Sequence, residues 1–490
     1  MSDRLDPPFS APDRDPADLD GVRILVFGLG GFGGGAGAAR FLAEQGAAVT
    51  VTDLRTPDQL GPALEILGDV PLAGRRLGGH DITDFTETDW VVVNPAIRPG
   101  NPLLSAATRA GARLVTEVGV FLSWCPSPHV AGITGSNGKS TTCRLLAEFL
   151  EESGHRTHLG GNFGGSLLLD LPRMTPDDRV VVELSSFQLA RLGPDTPRPA
   201  AVGITQISAN HLDWHGTYEA YRTAKEQLLR SANSALPRAL QIAALPRGET
   251  KLMAGALLAG RPVVSCGADR PQGSGVGVQD AHLCAFLIDE DGSEEVHPLV
   301  PISAFPRQGR HEVENAAVAC ALAFALGADR SVFEPVIARQ LPLPHRQEDA
   351  GEIAGIRFVD DSKATTPEAT CAALEAFSPR SILLAGGHHK GGDLTELARM
   401  VRERATGAIC YGRSRHELAR ALDEGGVEAA KVQVVERFAD AFRRATEVAR
   451  EGDVILLSPA CASFDEFRSF EERGEVFRGL VEGYRQQRAT

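Results

Sequence analysis

The stretch HVAGITGSNGKSTTCRLLAEFL, from His129 to Leu150, carries the clearest structural signal in the chain. An apolar run ends in a glycine-rich turn, and the turn leads directly into a segment whose apolar residues recur with a helical period. Backbone N–H groups in such a turn, the helix N-terminus and the amine of Lys139 can all bind phosphate oxygens. The stretch therefore predicts a strand, a phosphate-binding loop and a helix. Ile133, however, stands where the usual loop, G-x-x-x-x-G-K-S/T, has its first glycine.

A metal site is expected beside this loop, because the hydroxyl after the loop lysine commonly binds Mg²⁺. Glu183 ends the apolar run of VVVELSSFQL, where a buried carboxylate would be costly unless it were paired or bound to a metal ion. Further along, NHLDWHGTYEAYRTAKEQLL offers His211 and, within a helical pattern, Lys225. Each of these two could instead be an ordinary polar residue, either a hydrogen-bonded histidine or a solvated lysine. The residues expected to contact the phosphates are Gly135, Ser136, Asn137, Gly138, Lys139, Ser140 and Thr141.

Strand and helix patterns alternate along the whole chain. At 490 residues with 43% apolar content, the chain is long enough for roughly three domains, each with its own core. Proline-bearing junctions at 125–129 and 341–348 separate the patterns into three regions. We therefore predict an α/β fold of three tandem domains after a short tail. The predicted boundaries are 1–20 for a solvated acidic tail, 21–125 for a Rossmann-like domain, 126–343 for a central phosphate-loop domain and 344–490 for a second Rossmann-like domain.

Composition excludes several classes of function. A formal net charge of −14 argues against a general nucleic-acid binder, whose affinity would come from neutralising backbone phosphates. No apolar run is long enough to span a membrane, and the first twenty residues have neither the basic nor the apolar region of a leader peptide. The eight cysteines lie far apart without a C-x-x-C pair, which predicts neither a zinc site nor disulfides. We expect a cytoplasmic monomer that binds small molecules.

Lysine is scarce in this chain, and its few positions are informative. Only six of the 50 basic residues are lysine, so positions that need nothing more than positive charge are evidently filled by arginine. Each remaining lysine is either a chance retention on the surface or a site that needs a compact ammonium or an amine able to lose its proton. The six lysines are at positions 139, 225, 251, 363, 390 and 431.

A second glycine motif lies near the N-terminus. Gly28, Gly30 and Gly33 form G-x-G-x-x-G after a predicted strand, and Asp53 closes the next strand twenty residues later. This spacing is typical of a dinucleotide site, in which the helix N-terminus binds a pyrophosphate and the acid binds a ribose hydroxyl. The motif is compatible with a nicotinamide or flavin, with another pyrophosphate-linked sugar such as a UDP-sugar, or with a structural turn.

Seven segments together resemble the Mur ligase family: GITGSNGKSTT, GGNFGGSLL, VVVELSSFQL, NHLDWHGTYEAYRTAKEQLL, LPHRQE, VDDSKATTPEAT and LLSPACASFDEFRSFEERGEVF. The resemblance runs from about residue 21 to the C-terminus, and the family's loop, T-G-x-x-G-K-S/T, accounts for Ile133. It implies an ATP-dependent amide-bond ligase that adds D-glutamate to UDP-N-acetylmuramoyl-L-alanine in peptidoglycan precursor synthesis. It also implies that ATP activates the precursor's carboxylate as an acyl phosphate, from which an amine displaces phosphate. The implied cofactors are ATP as co-substrate and two Mg²⁺ ions.

The resemblance also assigns roles to individual residues. Ser140 and Glu183 would hold one Mg²⁺, while His211 and Lys225 would serve the other, and Lys225 would carry a carbamate formed with CO₂. The implied catalytic set is Lys139, Glu183, His211 and Lys225. The implied ATP contacts beyond the loop are Asn315, Arg346, Asp361 and Lys363. The implied contacts to the UDP-linked substrate are Gly30, Gly31, Phe32, Asp53, Arg55, Asn162 and Ser185. The implied glutamate contacts are Thr365, Lys390, Ser463, Phe464 and Phe470, in a C-terminal domain expected to close over ATP.

Three other functions remain open at the level of the sequence. A ligase of the same family could have another amino-acid specificity, such as L-glutamate addition or a folylpolyglutamate-like activity. The glycine motif at Gly28 would support a nicotinamide oxidoreductase with an accessory ATPase domain, and a third possibility is a regulatory ATPase that has lost ligation. One departure from the family pattern is Glu312, which stands where the segment H-N-x-x-N usually has asparagine.

Overall fold

A computed structural model describes residues 7–30, 33–230, 236–288, 291–306, 309–340, 344–377, 380–390 and 393–489. Within these residues the strands form three sheets that follow one another along the chain and are accompanied by helices. This is the α/β architecture that the alternating patterns predict. Gly31 and Phe32 lie outside the described residues.

The first sheet is wholly parallel and has the strand order β3-β2-β1-β4-β5 in the described chain. Its strands are β1 (Arg23–Phe27), β2 (Ala48–Asp53), β3 (Gly74–Leu77), β4 (Trp90–Val93) and β5 (Arg113–Val115). The associated helices are α1 (Gly34–Glu44), α2 (Gly61–Leu67), α3 (Ile82–Thr86), α4 (Pro102–Arg109) and α5 (Glu117–Trp124). The chain reverses its winding direction between β1 and β4, and ligands of such sheets bind beyond the carboxyl ends of the strands at this point.

The second sheet has the order β14-β13-β12-β11-β10-β9-β6-β8-β7 among described residues. Its strands are β6 (Val130–Thr134), β7 (Thr157–Gly161), β8 (Arg179–Glu183), β9 (Ala201–Ile204), β10 (Ala243–Pro246), β11 (Val263–Cys266), β12 (Gly275–Gln279), β13 (His282–Ile288) and β14 (Glu294–Pro301). The helices along this part of the chain are α6 (Lys139–Glu152), α7 (Ser186–Ala190), α8 (Leu212–His215), α9 (Tyr218–Glu226), α10 (Thr250–Leu258), α11 (Arg310–Ala325) and α12 (Phe333–Ala338). The sheet is parallel except at one edge, where β12, β13 and β14 pair antiparallel. The carboxyl ends of β6, β8 and β9 therefore lie side by side.

The third sheet has the order β15-β16-β20-β17-β18-β19 over the residues described. Its strands are β15 (Glu348–Ile353), β16 (Ile356–Asp360), β17 (Ser381–Gly386), β18 (Ala405–Tyr411), β19 (Val432–Val434) and β20 (Val454–Leu457). The associated helices are α13 (Pro367–Ala376), α14 (Thr395–Arg404), α15 (Arg415–Glu424), α16 (Phe438–Val448) and α17 (Phe470–Ala489). Only β15 pairs antiparallel in this sheet as described, so the loops after β16, β20 and β17 meet at one edge.

The N-terminal segment corrects the sequence-based expectation of a solvated tail. Phe9 and Leu19 are buried, and Phe9 forms a β-bridge with Leu114 of β5. The Trp90 indole donates to Asp13 Oδ1 at 3.0 Å. The acidic and proline-rich composition indicated solvation, but two apolar side chains and one carboxylate find partners in the fold. Residues 7–20 are therefore part of the structure, while 1–6 lie outside the described residues.

The described chain divides into two compact units. The first unit takes residues up to Ile207, together with Arg222–Phe305 and Glu312–Ala338, and thus contains the first two sheets. The second unit takes Ser208–Tyr221, Pro306–His311 and the chain from Arg339 onward, and contains the third sheet. No helix among the described residues combines the length and the apolar character needed to cross a membrane.

Candidate active site

The predicted phosphate loop joins β6 to α6 in the first unit. Gly138 has a φ of +83°, and a Cβ atom there would lie 2.1 Å from Asn315 Oδ1. At Gly135 a Cβ atom would lie only 1.8 Å from Thr205 Oγ1. Both positions require glycine because neighbouring polar side chains press against the backbone. The loop thus holds its N–H groups at the carboxyl end of β6, as a phosphate site requires.

The amine of Lys139 donates hydrogen bonds to the carbonyl oxygens of Gly135 and Ser136 at 2.9 and 3.0 Å. These contacts hold the lysine over its own loop, at the start of α6. Ser140 and Thr141 follow in the first turn of the helix, and the buried Thr141 hydroxyl has no hydrogen-bond partner within the described residues. The structure therefore brings the predicted lysine and hydroxyl groups together at the helix N-terminus.

Lys225 lies against the same loop, although it comes from α9. Only 1% of its surface is exposed, and Nζ donates to the Gly135 carbonyl at 2.8 Å and to Thr134 Oγ1 at 3.3 Å. Lys139 and Lys225 therefore share one carbonyl acceptor. Burial and then the charge of Lys139 hold the pKa of Lys225 well below its usual value, while Glu183 acts in the opposite direction. The environment favours a neutral amine at Lys225.

Glu183 ends β8, beside the phosphate loop, and is 1% exposed. One carboxylate oxygen accepts a hydrogen bond from Asn162 Nδ2 at 2.7 Å, and the other has no hydrogen-bond partner in the described part of the chain. A buried carboxylate oxygen without a partner is costly unless a cation binds it. Oxygen donors of this kind suit Mg²⁺, so this position fits the metal ligand that the sequence predicts.

Two further predicted residues lie near Glu183 but differ in what their side chains do. Asn162 orients the Glu183 carboxylate directly. Ser185 caps α7, because its hydroxyl accepts from the Gln188 N–H at 3.2 Å and the Gln188 side chain accepts from the Ser185 N–H at 2.8 Å. Gln188 was not singled out from the sequence, although the S-x-x-Q capping pattern is visible there. A substrate contact at Ser185 remains a prediction.

The first glycine motif lies at the crossover point between β1 and β4. A Cβ atom on Gly30 would approach Asn94 Nδ2 to 2.7 Å, and the same amide donates to the Gly28 carbonyl at 3.2 Å. Asp53 accepts from the Leu29 N–H at 3.0 Å and forms an ion pair with Arg55, also at 3.0 Å. The Asp53 oxygens thus organise the loop and hold the half-exposed Arg55 guanidinium beside it. Contacts of these residues to a UDP group remain a prediction.

Asn94 and Arg191 are site-organising residues that sequence reasoning missed. Arg191 is almost fully buried after α7, donates to the Asn94 carbonyl at 3.1 Å and lies 5.5 Å from the centre of the Phe9 ring. One arginine therefore links the N-terminal segment, the first sheet and the second. No local motif indicates such a contact, because its partners are distant in the sequence.

A buried carboxyl group couples the first sheet's last helix to the loop that carries Asn162. Ser166 Oγ donates to Glu117 Oε1 at 2.6 Å, and burial raises the pKa of Glu117 from 4.5 to about 7. Between these two values the unfolded chain has released a proton that the folded chain still holds. The free energy of unfolding therefore falls as pH rises from 4.5 to about 7, and above this range the full loss of stability is present.

We expect Glu117→Gln to remove this pH-dependent cost, because glutamine keeps the acceptor for Ser166 but cannot ionise. Its free energy of unfolding should exceed that of the wild type by about 2–3 kcal/mol near pH 8, and the difference should vanish near pH 4. Urea unfolding at both pH values measures this difference. Glu65→Gln, at an exposed position on α2, should have no such effect. A pH-independent difference between the wild type and Glu117→Gln would contradict the assignment.

In the second unit, His211 and its neighbours form an aromatic cluster. His211 has a left-handed backbone with φ of 55° and precedes α8. Its ring lies 6.5 Å from the Tyr221 ring, and the His215 ring lies 5.3 Å from the same tyrosine. Lys225 follows Tyr221 by one helical turn of α9, but it belongs to the first unit. A shared metal site for His211 and Lys225 remains a prediction.

The predicted ATP contacts fall on two elements of the chain. Asn315 on α11 lies against the phosphate loop at Gly138, and its buried Nδ2 has no hydrogen-bond partner among the residues described. Glu312 lies one turn earlier on the same helix.

In the second unit, Asp361 accepts from Ser458 Oγ at 2.7 Å and from the Gln347 N–H at 3.1 Å. Burial raises the pKa of Asp361 to about 7, opposed mainly by the Ser458 hydrogen bond and by the charge of Arg346.

The predicted glutamate contacts follow the carboxyl ends of β16, β17 and β20. Lys363 Nζ lies 5.5 Å from the centre of the Phe470 ring, and the Thr365 N–H donates to the Lys363 carbonyl at 2.9 Å. Lys390 and Ser463 belong to loops joined by an antiparallel bridge between His388 and Ala462. Phe464 is 65% exposed, whereas Ser463 is buried. The fold therefore brings the loops that carry these residues to one edge of the third sheet.

His345, Glu348 and Asp360 also form a compact group that could bind a metal ion. Arg478, however, forms ion pairs with both Glu348 and Asp360, and His345 Nδ1 lies 2.8 Å from Asp360 Oδ2. The arginine pairs with both carboxylates and occupies oxygens that a metal ion would need, so the group is an ion-pair network and not a candidate metal site.

Family models match three consecutive parts of the chain. The N-terminal domain of Mur ligases of the MurD-like type matches residues 22–116, the Mur ligase middle domain matches 133–323, and the Mur ligase glutamate ligase domain matches 345–461. These matches fall on each of the three sheets in turn.

Curated relatives are similar over nearly the whole chain. A UDP-N-acetylmuramoylalanine–D-glutamate ligase from Roseiflexus sp. is 38% identical over 95% of this chain and 99% of its own length. The enzyme of the same name from Pelotomaculum thermopropionicum is 35% identical over 95% and 98%.

Solved structures share the fold at lower identity. UDP-N-acetylmuramate-alanine ligase MurC from Thermotoga maritima has a TM-score of 0.59 at 17% identity, covering 94% of this chain and 99% of its own. The pseudomurein peptide ligase type C from Methanothermus fervidus has a TM-score of 0.56 at 19% identity, covering 94% and 100%. At this identity the likeness concerns the fold alone.

Proposed function

The chain belongs to the Mur ligase family, and from this premise we propose that it is the ATP-dependent ligase that adds D-glutamate to UDP-N-acetylmuramoyl-L-alanine in peptidoglycan precursor synthesis. One observation carries this proposal: its relatives of that name match it from the first sheet to the third, over almost their entire length. We further propose a cytoplasmic, monomeric enzyme organised in the three domains predicted from the sequence. The eight cysteines, all free thiols in the structure, are consistent with a reducing compartment.

In the proposed reaction two anions, the triphosphate of ATP and the carboxylate of the UDP-linked substrate, must react with each other. The loop N–H groups and Lys139 would bind the β- and γ-phosphoryl oxygens and offset part of their charge. Ser140 and the free oxygen of Glu183 would hold Mg²⁺, and Lys225, as a carbamate, would hold a second ion together with His211. Bound Mg²⁺ would supply the further positive charge that the transferring phosphoryl group requires. We propose that transfer produces an acyl phosphate, from which the amine of glutamate displaces inorganic phosphate.

The neutral form that burial favours at Lys225 is the form able to react with CO₂. The nitrogen would attack the carbon of CO₂, one C=O bond would become a carboxylate C–O, and the nitrogen would release one proton. The resulting carbamate offers the oxygen donors that Mg²⁺ prefers. An arginine at this position would stay protonated and could not take part.

A phosphate-release assay with purified enzyme tests the function. Release from ATP should require both UDP-N-acetylmuramoyl-L-alanine and D-glutamate, and L-glutamate in place of D-glutamate should give little or none. Turnover of ATP with neither acceptor present would refute ligation and favour the regulatory ATPase. Addition of L-glutamate at the rate of D-glutamate would refute the stereospecificity alone.

A further inference from the structure

Arg473 is a fully buried arginine in the first turn of α17, with 0% of its surface exposed. Nε donates to Ser362 Oγ at 2.9 Å, and Nη2 donates to the Ser362 carbonyl at 2.8 Å and to that of Cys461 at 3.2 Å. Nη1 donates to the carbonyls of Gly386 at 3.3 Å and Cys461 at 3.2 Å. One guanidinium therefore joins three segments that are distant in the sequence.

These acceptors end or follow the strands that carry the predicted glutamate contacts. Ser362 comes three residues before Thr365, Gly386 comes four residues before Lys390, and Cys461 comes two residues before Ser463. The backbones of the loops after β17 and β20 also lie close together, because a Cβ atom on Gly387 would lie 2.2 Å from the carbonyl oxygen of Ala462. A small displacement of the guanidinium would therefore move all three loops.

Ser362 extends this network to a further predicted contact. Its hydroxyl accepts from Arg473 Nε and itself donates to the Phe470 carbonyl at 2.7 Å. Phe470 begins α17, and its ring lies beneath the amine of Lys363. Ser362 thus fixes the position of α17 relative to Lys363 through both its hydroxyl and its carbonyl group.

The charge of Arg473 is also unusual for a buried group. Each of its hydrogen-bond acceptors in the described chain is a neutral carbonyl or hydroxyl oxygen, and none is a carboxylate. Buried charges are normally paired, because an isolated charge in a protein interior is costly. A positive charge without a carboxylate partner favours an anion bound at the nearby loops.

We propose that Arg473 is the positioning residue for the incoming dicarboxylic amino acid, holding the three loops in register and adding positive potential beneath the substrate. This inference rests on the proposed function, since it concerns the same amino-acid site. Arg473 itself is buried and does not touch substrate. Its effect should therefore be largest on the binding of glutamate and smaller on the binding of ATP, whose predicted contacts Asp361 and Lys363 flank Ser362. The binding of the UDP-linked substrate should stay unchanged.

Steady-state kinetics of Arg473→Lys, Arg473→Met and Ser362→Ala, with each substrate varied in turn, tests the proposal. Arg473→Lys keeps the positive charge but loses the planar guanidinium group with its fixed N–H donors, and its KM for D-glutamate should rise about tenfold or more. Arg473→Met loses both the charge and the N–H donors, and its KM for D-glutamate should rise further. Ser362→Ala should change the same KM in the same direction by a smaller factor. KM for the UDP-linked substrate should stay within about twofold in every variant, and KM for ATP should rise by a smaller factor than KM for D-glutamate.

Arg485→Met, on the exposed part of the same helix, serves as the matched control and should leave all three KM values unchanged. If Arg473→Met does not fold, Arg473→Lys and Ser362→Ala still decide the question. An unchanged KM for glutamate in these two variants, or equal changes for all three substrates, would overturn the inference. An inactive wild type would instead refute the proposed function, so the two failures are distinguishable.

Discussion

Replacing Lys225 with alanine is expected to reduce kcat by about a thousandfold, the cost of losing a preorganised electrostatic group at a reacting phosphate. The amine is buried at the phosphate loop and shares the Gly135 carbonyl with Lys139, so its removal takes away both the proposed carbamate and a loop contact. Short carboxylic acids such as acetate should partly restore activity, because they can enter the space that the side chain leaves and supply the missing oxygen donors. The phosphate-release assay measures both effects.

Lys225→Arg and Lys251→Ala separate the possible causes. Arginine keeps a positive charge but cannot form a carbamate, so Lys225→Arg should be as inactive as Lys225→Ala. Lys251→Ala removes an exposed lysine from α10 and should retain wild-type activity. In the wild type, isotopically labelled bicarbonate should give a carbamate signal in the NMR spectrum that both Lys225 variants lack. Activity in Lys225→Arg, or a wild type without this signal, would remove the carbamate from the mechanism.

The central part of the site was predictable because its chemistry is local in sequence. A strand, a glycine turn, a lysine and a helix must follow one another for a loop to bind phosphate, so HVAGITGSNGKSTTC carries the entire pattern. Glu183 was predictable for a related reason, since a carboxylate at the end of an apolar strand is costly without a partner. The structure places both at the carboxyl ends of adjacent strands, β6 and β8.

Residues that act through distant partners could not be predicted in this way. Arg191, Asn94 and Arg473 bond mainly to backbone carbonyls, and almost any sequence supplies these acceptors. The N-terminal segment is predicted to be solvated because it is rich in proline and acidic residues, whereas buried Phe9 and Leu19 and the hydrogen bond from Trp90 to Asp13 attach it to the fold. Such contacts depend on which strands become neighbours, and that information is spread over the whole chain.

Asp53 illustrates a different limit of motif reasoning. The fingerprint predicts an acid that meets a ribose hydroxyl, yet both carboxylate oxygens accept hydrogen bonds from within the loop and from Arg55. Motif spacing identifies the position of an acid at the end of β2. It does not reveal whether the acid contacts a ligand or holds the arginine that does.

Glu183→Gln is expected to lower kcat by about a hundredfold to a thousandfold and to shift Mg²⁺ activation to higher concentrations. Glutamine can keep the hydrogen bond from Asn162 through its carbonyl oxygen, so the strand end and the phosphate loop should keep their geometry. What it loses is the negative oxygen that has no partner among the described residues, and this oxygen is the donor expected to hold Mg²⁺. Titrating Mg²⁺ at saturating substrates measures both changes.

A second measurement, made without turnover, distinguishes a metal ligand from a residue that only supports the fold. Mg²⁺ that binds the folded state in preference to the unfolded chain stabilises the fold, so increasing Mg²⁺ should raise the melting temperature of the wild type. The same titration should have much less effect on Glu183→Gln, while Glu334→Gln, an exposed change on α12, should behave like the wild type. Equal Mg²⁺ stabilisation in the wild type and Glu183→Gln would show that Glu183 does not bind the ion.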